Sequence, residues 1–197
     1  MDTACRSRPY PRRCYRGELS RCRHNGAPLC GPDRIESWTD TELSQDDDIV
    51  ARMFDVAQAA LAAGERPVAA VLVRDGAIVA EATDAVFGRS DPTAHAERVV
   101  VSDYCTAQSL LHLRGYELYC FIEPCVMCCG AIHWAKLDRV VYALSQARLN
   151  ELSGGRPKPG IRELLPLGAR ALSVVGPVRE NDAFQIAARY DWRARAL

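Results

Sequence analysis

The sequence lacks any apolar run that approaches the ~20 residues of a membrane-spanning helix. Its first residues are rich in arginine but lack the apolar stretch of a secretory signal peptide. From these two absences we expect a cytoplasmic protein without membrane contact. With 197 residues, 48% of them hydrophobic and 25% charged, the chain can form one well-buried domain plus an extension.

Net charge is also lacking, because 25 basic residues balance 25 acidic ones. The balance is uneven, since residues 1–34 carry eight arginines against three acidic residues and leave the remainder acidic. An acidic body is a poor surface for a phosphate backbone, so any nucleic-acid contact would come from the arginine-rich front. Residues 1–45 mix Pro, Gly, Arg and Cys without a period, which predicts an irregular, disordered extension before a domain over residues 46–197.

The cysteines of this extension lack the paired spacing of common zinc modules. They are Cys5, Cys14, Cys22 and Cys30. A disulfide framework would need an oxidising compartment, which the missing signal peptide argues against. We therefore assign the extension no function.

Hydrophobic periodicity from residue 46 onward predicts an α/β fold. Apolar residues at helical spacing predict a helix over 49–61, followed by two strands joined by Asp75-Gly76, a strong hairpin signal. After a predicted loop at 86–90, Asp91 and Pro92 predict the start of another helix. Three further strands then alternate with helices. This order predicts a three-layer α/β/α sandwich around a five-stranded mixed sheet, with an antiparallel hairpin and parallel later strands.

Two short motifs combine metal-ligating and proton-transferring side chains. Cys125 and Cys128 lie three apart at the start of a predicted helix, where they share a face and the helix N-terminus favours thiolates. His95 can supply an imidazole, and three protein ligands leave a fourth zinc position for water. Glu97 is a carboxylate that could take a proton from that water.

The geometry leaves two alternatives for these motifs. Residues two apart point ~200° apart on an ideal helix, so His95 and Glu97 meet one metal only if it sits over the helix end. Cys129 could instead close a four-ligand structural site, although adjacent cysteines on a helix point about 100° apart. A lone CxxC or HxE is weak, but HAE followed by PCxxC with a strand between them is the signature of zinc-dependent base deaminases.

The stretches DPTAHAE and EPCVMC resemble the cytidine-deaminase-like superfamily of zinc deaminases. Within it, the chain is similar to the branch that holds bacterial-type guanine deaminases and tRNA adenosine deaminases. The resemblance implies that His95, Cys125 and Cys128 hold Zn²⁺ and that Glu97 carries protons during a hydrolytic deamination that releases ammonia. It also implies that the chain forms a homodimer.

Two further positions bear on the substrate. The stretch GAIHWAK resembles guanine deaminases, which implies that Trp134 stacks on a planar ring in the pocket wall. Relatives commonly have a substrate-contacting asparagine where this chain has Asp84, and an ionised carboxylate there would favour a ring edge rich in N–H donors. Asp84 could equally be a solvated carboxylate at a strand end.

In relatives a C-terminal segment often closes over the pocket. The candidates in this chain are Asp182, Phe184, Tyr190, Asp191 and Trp192. The alternative is an amphipathic helix that only packs against the domain.

Three functions stay open at this point. The first is a zinc aminohydrolase that acts on a small nucleobase-like ring, with guanine or a related purine or triazine as the leading expectation. The second is a tRNA adenosine deaminase that uses the arginine-rich front on RNA phosphates. The third is a catalytically silent zinc-binding protein that keeps the fold.

Overall fold

The computed structural model describes residues 23–24, 27–28, 47–155, 158–164 and 172–194. The chain divides into two compact units, Met1–Pro32 and Asp33–Leu197. In the first unit, β1 (Arg23–His24) and β2 (Ala27–Pro28) form an antiparallel pair. The prediction of an irregular extension over 1–45 otherwise falls outside the described residues.

The second unit alternates helices and strands in the predicted order. Its elements are α1 (Asp47–Ala62), β3 (Ala69–Arg74), β4 (Ala77–Thr83), α2 (Val86–Arg89), α3 (Ala96–Gln108), β5 (Tyr116–Ile122), α4 (Val126–Ala135), β6 (Arg139–Leu144), α5 (Gln146–Ser153), α6 (Ile161–Leu164), β7 (Ser173–Val175) and α7 (Glu180–Ala187). None of the described helices is long and apolar enough to cross a membrane.

The predicted five-stranded mixed sheet is confirmed, with strand order β4-β3-β5-β6-β7. Strands β4, β3 and β5 pair antiparallel, whereas β5, β6 and β7 pair parallel. The β3–β4 turn uses Asp75-Gly76 with φ of 51° and 76°, the left-handed pair that matches the twist of a two-residue hairpin. The parallel strands bring the segments after β5 and β6 to one edge of the sheet, where sites of α/β folds gather.

Helices cover both faces of the sheet, as the three-layer prediction requires. On one face, α1 and α7 pack through residues such as Phe54 and Ala183 against the strands. On the other face, α3 and α4 pack through residues such as Val100 and Ile132. Alternate residues of β5 point to opposite faces, with Phe121 in the first cluster and Cys120 in the second.

Two local predictions are wrong. Residues 86–90 were expected to form a loop, but they contain the one-turn helix α2. Asp91 does not cap a helix that begins at Pro92, because its carboxylate accepts hydrogen bonds from Thr93 N (2.8 Å) and Arg98 Nη2 (2.6 Å) in a turn. Helix α3 begins only at Ala96, after His95.

Candidate active site

The three predicted metal ligands lie at the starts of two helices on the same sheet edge. His95 is the residue that precedes α3, and its extended backbone (φ −66°, ψ 150°) keeps it outside the helix. Cys125 precedes α4 in the same way (φ −72°, ψ 173°), and Cys128 lies in the first turn of α4. Because His95 is outside the helix, the 200° separation expected from Glu97 does not apply. The metal can therefore lie over the helix end.

The donor atoms form a nearly equilateral triangle. The distances are 3.6 Å from His95 Nδ1 to Cys125 Sγ, 3.7 Å from His95 Nδ1 to Cys128 Sγ, and 3.7 Å between the two sulfurs. Zinc bonds of about 2.3 Å to sulfur and about 2.1 Å to nitrogen, at tetrahedral angles, imply ligand separations of about 3.6–3.8 Å. The residues therefore fit a tetrahedral zinc ion in both chemistry and spacing, with one position left open.

The two thiols are electrostatically unequal without a metal. A hydrogen bond from Cys128 lowers the pKa of Cys125 to about 3, and the same contact raises the pKa of Cys128 well above its ordinary value. The hydrogen bond with Cys125 also raises the pKa of His95. A zinc ion held by these residues would bind both sulfurs as thiolates, so its binding would release protons.

Glu97 lies in the first turn of α3, buried beside these ligands, with 4% of its surface exposed. Burial raises the pKa of its carboxyl group to about 7. Its Oε2 atom is buried and has no hydrogen-bond partner in the part of the chain that the structure describes. A buried carboxyl oxygen with nothing to bind is expected where a water or substrate completes the site.

His95, Glu97 and Cys125 line one part of a cavity of about 300 Å³. Such a volume is at the small end of the range for small-molecule sites. The described residues that line it are Arg66, Val68, Asp84, His95, Glu97, Ile122, Glu123, Cys125, Gln146, Leu149, Ser153, Gly155, Lys158 and Trp192.

Glu123, the first residue of the EPC motif, organises one wall of the cavity. Its buried carboxylate accepts hydrogen bonds from the backbone N–H groups of Gln146 and Ile161, both at 2.8 Å. A Cβ atom on Gly160 would lie 2.5 Å from Glu123 Oε1, so any other residue there would have to displace the hydrogen-bonded carboxylate. Glu123 thus joins the end of β5 to the starts of α5 and α6.

Asp84 is not a solvated carboxylate. It follows β4 and is bound by Arg66, whose Nε and Nη2 both donate to Asp84 Oδ2 at 3.0 and 2.7 Å. The two side chains are 13% and 4% exposed, and both line the cavity. The cavity therefore contains a buried ion pair that the sequence motifs do not suggest.

The structure does not bring Trp134 to the other predicted site residues. It lies on the outer face of α4 with 79% of its surface exposed and does not line the cavity of this chain. Trp192 is the C-terminal candidate that does line the cavity, and its indole N–H donates to Ala187 O at 2.8 Å. Phe184 instead lies under the Arg148 guanidinium, and Asp182 pairs with Arg179.

The other described cysteines do not belong to the metal-ligand group. Cys129 Sγ contacts Pro124 O at 3.4 Å, which excludes it as the fourth ligand of a closed site in this arrangement. Cys120 is buried in the core, as expected for a strand residue. Among the described residues, His95, Cys125 and Cys128 form the group that could hold a metal ion.

Sequence reasoning missed Arg66 and assigned no role to Glu123. Arg66 lies shortly before strand β3, whose first five residues are buried, and a charged residue at such a position is the signal that could have drawn attention to it. Glu123 belongs to the quoted motif, but its buried partners come from residues 146 and 161 and are invisible in the local sequence.

The family model of the cytidine and deoxycytidylate deaminase zinc-binding region matches residues 43–144, about half of the chain. The chain belongs to this family. It contains a zinc-binding deaminase domain, and the family assignment agrees with the zinc ligands that the geometry selects.

Two curated relatives of this chain have different substrates in their names. The tRNA-specific adenosine deaminase of Aquifex aeolicus is 37% identical over 87 residues, which cover 44% of this chain and 58% of the relative. The guanine deaminase of Bacillus subtilis is 46% identical over 77 residues, which cover 39% of this chain and 49% of the relative. The chain thus spans about half the length of these relatives.

A solved structure from studies of A-to-I editing by tRNA deaminases at the wobble position of transfer RNA also matches. Its TM-score is 0.61 at 30% identity, and the match covers 71% of this chain and 99% of that one. Because the names of the relatives divide between guanine and tRNA, the similarity establishes the zinc-binding deaminase family and does not select a substrate.

Proposed function

We propose that this deaminase hydrolytically removes the amino group of a small nucleobase-like ring, with guanine or a related aminated purine or triazine as the leading substrate. The observation that carries the proposal is the small cavity that ends at Glu97 and the zinc ligands and is walled by Trp192. A free heterocycle needs little more than this space, whereas a nucleotide within an RNA chain must also pass its sugar and phosphate through the opening.

In the proposed reaction, a zinc ion held by His95, Cys125 and Cys128 would supply a water of lowered pKa to the cavity. Glu97 would take a proton from that water and deliver it to a ring nitrogen while the remaining hydroxide adds to the amino-bearing carbon. Glu97 would then carry the proton of the added hydroxyl group to the amine, so that the C–N bond breaks and ammonia leaves. Trp192 supplies an aromatic surface for the flat ring. The products are ammonia and the corresponding oxo ring.

The test is a comparison of ammonia release from free guanine, isocytosine, aminotriazines and adenine with inosine formation in a tRNA anticodon stem. The zinc-loaded full-length protein is used, and the E97A variant with zinc still bound is the blank. Turnover of a free base that is lost in E97A supports the proposal. Turnover of tRNA alone contradicts it, and equal inactivity of both proteins would favour a silent zinc-binding member.

A tRNA adenosine deaminase is the second candidate. It is favoured by the 37% identity to such an enzyme and by the arginine-rich front, which could bind RNA phosphates. If the front has this role, tRNA turnover should fall steeply with salt, because each neutralised phosphate adds to the salt dependence of binding.

We further propose that the chain forms a homodimer. Val126 and Trp134 on the outer face of α4 are 65% and 79% exposed, and large apolar side chains at this exposure are typical of contact surfaces. If so, the predicted role of Trp134 at a substrate would depend on the partner subunit. Sedimentation of the native chain and of W134E tests this, since a dimer that persists in W134E would place the interface elsewhere.

A further inference from the structure

Each side chain of the Arg66–Asp84 ion pair keeps hydrogen-bonding atoms that the pair itself does not use. Both Arg66 bonds go to one oxygen of Asp84, through Nε and Nη2. The other oxygen, Oδ1, makes no hydrogen bond within the described part of the chain. It is not among the fully buried side-chain atoms that lack a hydrogen-bond partner there, so it keeps some exposed surface. A guanidinium has five N–H donors, so three remain on Arg66 after these two bonds.

The surroundings hold this pair in position. The Arg66 guanidinium lies over the Phe87 ring, with 5.3 Å from Cζ to the ring centroid. Asp84 N donates to Val68 O at 3.2 Å, which ties the residue after β4 to the segment before β3. With side chains 13% and 4% exposed, neither group can reorient freely into solvent. A ligand in the cavity therefore meets a preorganised acceptor beside a preorganised donor.

We propose that Arg66 determines specificity and that the Arg66–Asp84 pair binds a lactam edge, in which a ring C=O stands next to a ring N–H. Arg66 would donate to the carbonyl oxygen, and Asp84 Oδ1 would accept from the N–H. This inference rests on the proposed deamination of a free base and narrows it to oxo-substituted aminated rings. Guanine and isocytosine carry their amino group on the carbon next to such an N–H.

The charge of the pair supports a neutral oxo ring over an anionic ligand. Arg66 is already neutralised by the Asp84 carboxylate 2.7 Å away, so it offers directed N–H groups rather than an uncompensated positive charge. A phosphate or carboxylate would meet repulsion from Asp84 at the same position. A ring that lacks the carbonyl would leave the Arg66 donors without a partner in a buried site, which costs affinity.

The experiment compares matched substrates that differ only in this edge. Guanine is paired with 2-aminopurine, and isocytosine with 2-aminopyrimidine, because each second base keeps the amino group but lacks the oxo group. The double variant R66M/D84L removes both charges, since R66M alone would leave Asp84 buried without a partner. The control R52Q removes one arginine of the exposed Arg52–Glu81 pair, which has similar contacts outside the cavity.

The measured quantity is the ratio of kcat/KM for the oxo base to that for its partner, which does not depend on the folded fraction. We expect R66M/D84L to lower this ratio about 10- to 100-fold, and R52Q to keep it. An unchanged ratio in R66M/D84L would overturn the inference while leaving free-base deamination intact.

Two other results would also overturn it. In the first, the protein deaminates guanosine monophosphate but neither free base, and R66M/D84L loses this activity. Arg66 would then be a phosphate ligand. Activity of the wild-type protein on tRNA alone would contradict the proposed function together with the inference.

Discussion

The metal end of the cavity (His95, Glu97, Cys125 and Cys128) consists of side chains at the N-termini of two helices packed on the same sheet face. We assign three other lining residues to substrate recognition and call them the recognition wall: Arg66, Asp84 and Trp192. They come from segments before β3, after β4 and after α7. The first region is built from regular elements, whereas the second depends on loops and on the C-terminal end of the fold.

The residues that would carry out the reaction are thus separate from the residues that would select the substrate. Ligands at helix starts are held rigidly and can keep tetrahedral spacing, which zinc chemistry requires. Loop residues on a rigid scaffold can change without disturbing that spacing, and substrate choice is commonly located there. Relatives that share the metal motif can therefore have different substrates, as the guanine and tRNA deaminases of this family do.

The largest expected effect comes from replacing one of the predicted zinc ligands at the metal end of the cavity. C128S should lower the zinc content from one ion per chain toward zero and reduce deamination at least about 1,000-fold, because the metal activates the water. Metal analysis by mass spectrometry and ammonia release measure both. The matched control is C129A, since Cys129 points to Pro124 O, and zinc loss in C129A equal to that in C128S would contradict the assigned ligand set.

A change of Glu97 should separate metal binding from proton transfer. E97Q should retain zinc but reduce kcat about 100- to 10,000-fold, because an amide of the same shape cannot accept the proton. The measurements are steady-state kinetics and zinc content on the same preparation. Activity within threefold of wild type would show that another group carries the proton.

An intermediate effect is expected in the recognition wall. W192A should raise KM for a free base about 10-fold with little change in zinc content, because the ring loses its aromatic contact surface. W192F keeps an aromatic ring and should recover most of the loss. If W192F is as impaired as W192A, the Trp192 N–H bond to Ala187, rather than ring contact, is the feature that matters.

The smallest effect is expected from removing the first 40 residues. The described residues that line the cavity belong to the second compact unit, so turnover of a free base should change less than about twofold. Kinetics of the truncated and full-length proteins on the same base provide the measurement. A collapse of activity with zinc still bound would make the extension part of the enzyme.

Much of the metal end could be predicted from the sequence because its determinants are local. The three-residue spacing of Cys125 and Cys128 at a helix start predicts that both sulfurs reach one point, and they lie 3.7 Å apart. What could not be predicted was the position of His95 relative to Glu97. It depends on where α3 begins, and the turn at Asp91 delays that start to Ala96.

The recognition wall could be predicted only in part. Asp84 was a candidate because relatives have an asparagine there, but its partner Arg66 is 18 residues away and on the other side of the β3–β4 hairpin. Trp192 was one of five C-terminal candidates, and the sequence offered no means to select it. Trp134 was placed in the pocket by resemblance, whereas the fold exposes it on α4.

The amino-acid sequence by itself determined the zinc donor set, the β3–β4 hairpin and the five-stranded α/β class, because periodicity, turn chemistry and ligand spacing are short-range properties. Tertiary structure decided which distant side chains share the cavity, namely that Arg66 meets Asp84 and that Trp192, rather than Trp134, lines the wall. The physical reason is that such contacts depend on how separate segments pack across the sheet, and no local pattern encodes that distance.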